Sequence, residues 1–102
     1  MRKGAIKSII SKKIKKIPQN KIIKVKNTHS SLNDLAKFTR EYTLAQIIGI
    51  TGSVGKTTLK NLISFSLKNY GKVYSSQYSY NNKFGVPLSL SNLKSNIDYG
   101  IF

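Results

Sequence analysis

The sequence has no cysteine and no tryptophan, one histidine, two prolines and only three acidic residues among 102. Without cysteine there is neither a disulfide nor a thiolate metal site. The single His29 cannot form a metal cluster by itself and reads as a solvated loop residue. No apolar run approaches the roughly 18 residues that a membrane span needs, so a cytoplasmic location is expected. At this length the chain is one small domain at most, and its 39% hydrophobic residues allow a modest core.

The scarcity of acids makes the charge balance steep. Eighteen Lys and Arg against three Asp and Glu give a formal net charge of +15. Ten of the eighteen lie in positions 1–26, where there is no acid. A basic nucleic-acid-binding module is one reading of that block, and a basic membrane-surface helix is another. Biased residue usage is the third, because Lys, Ile, Asn and Ser are abundant along the whole chain, as in a protein from an AT-rich genome. Pro18 and the β-rich Ile22-Ile23-Lys24-Val25 interrupt any long basic helix. Arginine, the residue suited to bidentate phosphate contacts, occurs only at Arg2 and Arg40, and no aromatics interleave with the basic run.

What the sequence does have is Gly49-Ile50-Thr51-Gly52-Ser53-Val54-Gly55-Lys56-Thr57-Thr58. The apolar Ala45 to Ile50 precedes it and a helical pattern follows. This is the order a phosphate-binding loop needs: a strand delivers the backbone, glycines let N–H groups turn inward, and the next helix aims its positive end at the same place. Lys56 then supplies a point charge for the outer phosphates, and the Thr57 hydroxyl can ligate Mg²⁺. One position is irregular. The general pattern has glycine five residues before the last glycine, where this chain has Ile50, and its glycines fall at 49, 52 and 55.

Around the loop the pattern reads as α/β. Ala5 to Ile10 and Ile22 to Lys26 read as strands, separated by a charged loop. Ser31-Leu32-Asn33-Asp34 has capping-box spacing, with Ser31 as N-cap, and predicts a helix ending near Tyr42 that turns Leu32, Leu35, Ala36 and Phe38 to one side. Ala45 to Ile50 suits a strand of a parallel sheet buried on both faces. The next helix carries Leu59, Leu62, Ile63 and Leu67 at core spacing, and Gly71 stands where a left-handed C-terminal cap belongs. Lys72 to Ser76 returns as a strand, making residues 45–76 a βαβ unit. Val86 to Leu93 reads as a short helix with Pro87 in its first turn. Tyr99 to Phe102 begins another apolar strand for which no partner is visible. Asp34 reads as a cap, Glu41 as a surface charge and Asp98 as a turn residue, so the nucleotide cradle comes without a visible completed active site.

Two strings carry a resemblance. Residues 49–58, with glycines spaced in threes, resemble the ATP loop of the Mur ligases. Ser79-Tyr80-Asn81-Asn82-Lys83-Phe84-Gly85-Val86-Pro87-Leu88 resembles the NNxxGVPL segment of that family's D-alanyl-D-alanine-adding branch. The resemblance implies a truncated parallel-sheet ATPase-like central domain over 45–102, with the end of the N-terminal domain and a connecting helix over 1–44. It also implies that Gly52, Ser53, Val54 and Gly55 wrap the phosphates of ATP, that Lys56 contacts the β/γ-phosphates, that Thr57 ligates Mg²⁺ and that Thr58 supports the loop. Asn81 and Asn82 fall where the family's loop nears the substrate cleft, although they read equally as an Asn-rich turn capping the following helix. The substrates implied are UDP-N-acetylmuramoyl-tripeptide and D-alanyl-D-alanine, joined through an acyl phosphate. The family places a magnesium-binding glutamate just after the position of Phe102, so the resemblance makes this piece a truncation, one part of a split gene with a separately encoded remainder, or a decayed reading frame, expected to be inactive alone and to leave an unpaired edge strand. Another ATP-dependent amide ligase of the same superfamily, such as a folylpolyglutamate synthetase, is the nearest alternative.

Overall fold

The computed structural model describes residues 5–15, 17–76 and 82–102. The chain divides into two compact units, 1–31 and 32–102. In the first, strand β1 (Ser8–Ile10) pairs in parallel with β2 (Ile22–Lys24), Ser8 opposite Ile22 and Ile10 opposite Lys24. The link between them contains a short 3₁₀ turn, Gln19–Lys21, entered through Pro18, whose fixed φ suits a helical entry and whose carbonyl accepts the Lys21 N–H at 3.0 Å.

Helix α1 (Thr28–Tyr42) starts one turn earlier than the capping-box spacing predicts. Asn27, not Ser31, supplies the cap: its side-chain oxygen accepts the N–H groups of His29 at 2.8 Å and Ser30 at 3.1 Å. Two otherwise orphaned donors are thereby satisfied and the helix gains a turn. Ser31 lies inside that turn, its hydroxyl donating to the Asn27 carbonyl at 3.0 Å, and Asp34 is an exposed mid-helix residue rather than a cap. Of the expected inner face only Ala36 is buried. Leu35 and Phe38 are exposed, and Phe38 leans on Tyr42 with ring centroids 4.4 Å apart.

The second unit is an α/β layer built on three parallel strands, β3 (Gln46–Ile48), β4 (Val73–Ser75) and β5 (Tyr99–Ile101), in the order β3-β5-β4. Helix α2 (Lys56–Leu67) connects β3 to β4 and packs on β4 and β5; α3 (Gly85–Ser91) lies between β4 and β5 in sequence. The β-α-β succession is as expected, but its two strands are not neighbours, because β5 inserts between them. The strand expected to lack a partner is therefore the central one, and the sheet's edges among the described residues are β3 and β4. Ile101 on β5 is fully buried, whereas β3, expected to be buried on both faces, has Gln46 exposed and Ile47 and Ile48 half-buried.

Helix α2 turns inward only part of the stripe that its spacing predicts, Ile63 and Leu67. Leu59 and Leu62 are exposed, and the packed face is Lys56, Lys60, Ile63, Ser64 and Leu67. These positions share one face at three- and four-residue spacing. Lys56 must face the loop it closes, and that requirement sets the rotation of everything behind it. On β4, Tyr74 meets the Phe102 ring at 5.9 Å. Burial raises the Tyr74 pKa above its ordinary value, with the Ser89 side chain lowering it in part.

Asp98, just before β5, fastens the far end of the sheet. Its carboxylate accepts the Lys72 N–H at 2.7 Å, its own N–H donates to the Lys72 carbonyl at 2.9 Å, and its carbonyl accepts the Gln46 N–H at 2.8 Å. Gly71 is not the left-handed cap its position implied, since only Gly52 and Gly55 have positive φ among the described glycines. It is needed for close approach: a Cβ there would lie 2.8 Å from both Cβ and Oδ2 of Asp98. Gly71→Ala is expected to destabilise the unit by about 1–3 kcal/mol through this overlap, read as a lower midpoint in urea unfolding; an unchanged midpoint would show that Asp98 is not held where described.

Candidate phosphate-binding site

The C-terminal ends of the three strands converge on one edge of the sheet. Ile50 N–H donates to the Phe102 carbonyl at 2.7 Å, Phe102 N–H to Ile48 at 2.9 Å, and Ser76 N–H to Ile101 at 2.9 Å. The loop leaving β3 is thus pinned to the central strand before it turns. Ile50, the residue that breaks the general glycine pattern, occupies this pinned and half-buried position, where no special backbone freedom is required.

The glycines that do require freedom are Gly52, with φ +146°, and Gly55, with φ +78°. Both lie where a side chain is strained. Gly49 has neither positive φ nor a neighbour within 4 Å of a would-be Cβ. Gly55 is also the residue at which α2 begins, and its carbonyl accepts the Leu59 N–H at 2.9 Å to close the first turn. The first helical N–H groups have no intrahelical carbonyl to bond, and with the helix dipole they favour an anion in front of them.

Ser53, Val54, Thr57 and Thr58 are exposed, Val54 to 91%. Lys56 Nζ donates to the carbonyls of Gly52 and Ser53, folding its ammonium over the loop. A cavity of about 20 Å³ behind the loop is lined by Ile50, Lys56, Thr57, Lys60, Ser76 and Phe102. That volume accommodates about one water. Among the described residues no three His, Cys, Asp or Glu come together to hold a metal. A magnesium ion here would find the Thr57 hydroxyl as its protein ligand, with phosphate oxygens and water completing its shell.

The structure therefore brings Gly52 to Thr58 together in one loop and helix start. Asn81 lies outside the described residues. Asn82 is described, and its side-chain oxygen accepts the N–H groups of Phe84 at 3.0 Å and Gly85 at 2.8 Å, which makes it a cap of α3. Lys60 is the residue that sequence reasoning passed over. It is 8% exposed, and its Nζ donates to the backbone carbonyl of Ser76 and, at 3.2 Å, to the Ser76 hydroxyl. Its only sequence signal is a spacing of four from Lys56.

A family model of the Mur ligase middle domain matches residues 50–102. The chain is 36% identical over 100 residues to the UDP-N-acetylmuramoyl-tripeptide–D-alanyl-D-alanine ligase of Rickettsia prowazekii, covering 98% of this chain and 22% of that one. It is 42% identical over 101 residues to the ligase of the same description from Buchnera aphidicola of Baizongia pistaciae, covering 97% and 22%. Among solved structures it resembles the MurF ligase of Thermotoga maritima in complex with ADP, with a TM-score of 0.77 and 29% identity over 98% of this chain and 23% of that one. An Acinetobacter baumannii MurF gives a TM-score of 0.81 at 28% identity, covering 91% and 20%. The chain thus spans about a fifth of the length of the curated relatives it matches.

The left-handed backbone at Gly55 gives a direct check on the loop. Gly55→Ala is expected to cost about 1–2 kcal/mol in folding stability, measured by chemical denaturation, while Gly49→Ala changes stability little; equal effects would contradict the assigned loop geometry.

Proposed function

The chain belongs to the Mur ligase family, and from that membership we propose that it is the phosphate-loop part of a ligase joining D-alanyl-D-alanine to UDP-N-acetylmuramoyl-tripeptide. Residues 45–102 would be the start of the central ATP-binding domain, and 1–44 the end of the N-terminal domain with its connecting helix. The observation that carries the reading is the loop itself, where two glycines at positive φ, a helix start and an inward-folded lysine occupy one edge of a parallel sheet. A MurF ligase with this fold was solved in complex with ADP, which supports nucleotide binding.

In the whole ligase, the γ-phosphoryl group of ATP passes to the terminal carboxylate of the tripeptide, giving an acyl phosphate and ADP. The amine of D-alanyl-D-alanine then attacks the acyl carbon, the C–N bond forms, the C–O bond breaks with its electron pair on the departing phosphate, and the amine gives up a proton. This chain's residues do the holding. The N–H groups of Gly52 to Thr58 would receive the β- and γ-phosphate oxygens, and Lys56 would turn its hydrogen bonds from the Gly52 and Ser53 carbonyls to them. Thr57 would hold magnesium together with phosphate oxygens, and the metal would supply charge neutralisation. Such positioning and neutralisation account for most of what a protein contributes to phosphoryl transfer.

Asn82 remains a candidate substrate contact through its amide nitrogen, its oxygen being engaged at the α3 cap. Cytoplasmic nucleotide chemistry is consistent with the reading, and the partner it calls for is the remainder of the ligase. Calorimetric titration of the folded chain with Mg-ATP tests the proposal. We expect saturable binding at the loop that Lys56→Ala weakens at least about tenfold, in line with losing a charge-assisted contact. Absence of binding by the folded chain, or binding indifferent to Lys56→Ala, would refute it.

A further inference from the structure

We propose that Lys60 is a positioning residue of the phosphate site, a second cation built into its floor that ties the loop's helix to the end of β4. The inference rests on the phosphate-binding reading above and asks what this buried lysine adds to it. Lys60 lines the same cavity as Lys56 and Thr57 and lies one turn further along α2. Two like charges four residues apart oppose helix formation, and taking an ammonium out of water costs several kcal/mol after relaxation. An apolar side chain of the same length would fill the space without either cost. The chain is not short of leucines on this helix, yet Leu59 and Leu62 face outward while Lys60 faces in.

The ammonium is placed with care. It donates to both the carbonyl and the hydroxyl of Ser76, itself 6% exposed and the first residue after β4. Ser76 in turn is fastened to β5 through its N–H on Ile101. Lys60 thus locks α2 to two strands immediately beneath the loop, and its charge raises the positive potential where α2 begins. Asp98 is at the opposite end of the strands.

The distinguishing mark is charge scaling. A residue that merely holds the fold would, when replaced, weaken all anions by one factor; a cation in the floor weakens them in proportion to ligand charge. The experiment compares tripolyphosphate, pyrophosphate and inorganic phosphate binding by calorimetry at low salt, well below each variant's melting temperature. The proteins are the unaltered chain, Lys56→Ala, Lys60→Gln, which keeps a donor for Ser76 without the charge, and Lys60→Arg, which keeps the charge. Lys60→Gln is expected to weaken tripolyphosphate about tenfold, within what one nearby unit charge supplies at an effective dielectric of about 20, with smaller losses for pyrophosphate and phosphate. Lys60→Arg is expected to recover most of that loss. Unchanged binding in Lys60→Gln, or one uniform factor across the three anions, overturns this proposal while leaving the loop's role intact. If the unaltered chain binds none of the three, or if binding survives Lys56→Ala, the loop reading and this inference fall together.

Discussion

Everything in the larger unit hangs on the backbone of β5. This three-residue strand is hydrogen-bonded on both sides and carries Ile101, the one fully buried large side chain among the described residues. At one end Asp98 joins the starts of β3 and β4; at the other, Phe102 holds Ile48 and Ile50, and Ile101 holds Ser76. The loop at 51–55 therefore leaves the sheet from a point fixed by two strands rather than one. Its remaining freedom is confined to Gly52 and Gly55, and there the backbone enters a region that glycine alone occupies cheaply.

The same constraint explains how α2 is turned. A helix ordinarily rotates to bury its apolar stripe. Here the first residue, Lys56, has to reach back over the loop, and Lys60, Ile63, Ser64 and Leu67 follow it onto the packed face. Hydrophobic burial is sacrificed at Leu59 and Leu62, and a cation is buried instead. The site's geometry thus overrides the helix's own periodicity, a conflict of the kind expected where function rather than stability sets the structure.

That conflict also marks where the sequence was legible. The loop could be read residue by residue, because glycine, lysine and threonine at those spacings have few other uses, and the order of strands and helices followed from apolar runs and breakers. Family membership was legible from the loop and the segment ending in Gly85-Val86-Pro87-Leu88. The misplaced details each have a local cause. Asn27 and Ser31 both carry cap chemistry, and only the hydrogen bonds show that Asn27 takes the amides. Gly71 was assigned a left-handed turn when its need is space beside Asp98, a contact 27 residues away that no local pattern reveals. The central place of β5 is a matter of pairing across long separations, and Lys60 was hidden because a lysine on a helix normally faces water.

The central claim is that the edge of the sheet at Gly52 to Thr58, and not the general positive charge of the chain, binds a nucleotide's phosphates. Amide-resolved NMR during addition of Mg-ATP tests it most directly. The account predicts shifts concentrated in residues 52–58 and at Lys60 and Ser76, with Gly71 and Asp98 at the opposite end unchanged. Shifts centred on the lysines of residues 5–26, or no site-specific shifts at all, would contradict it.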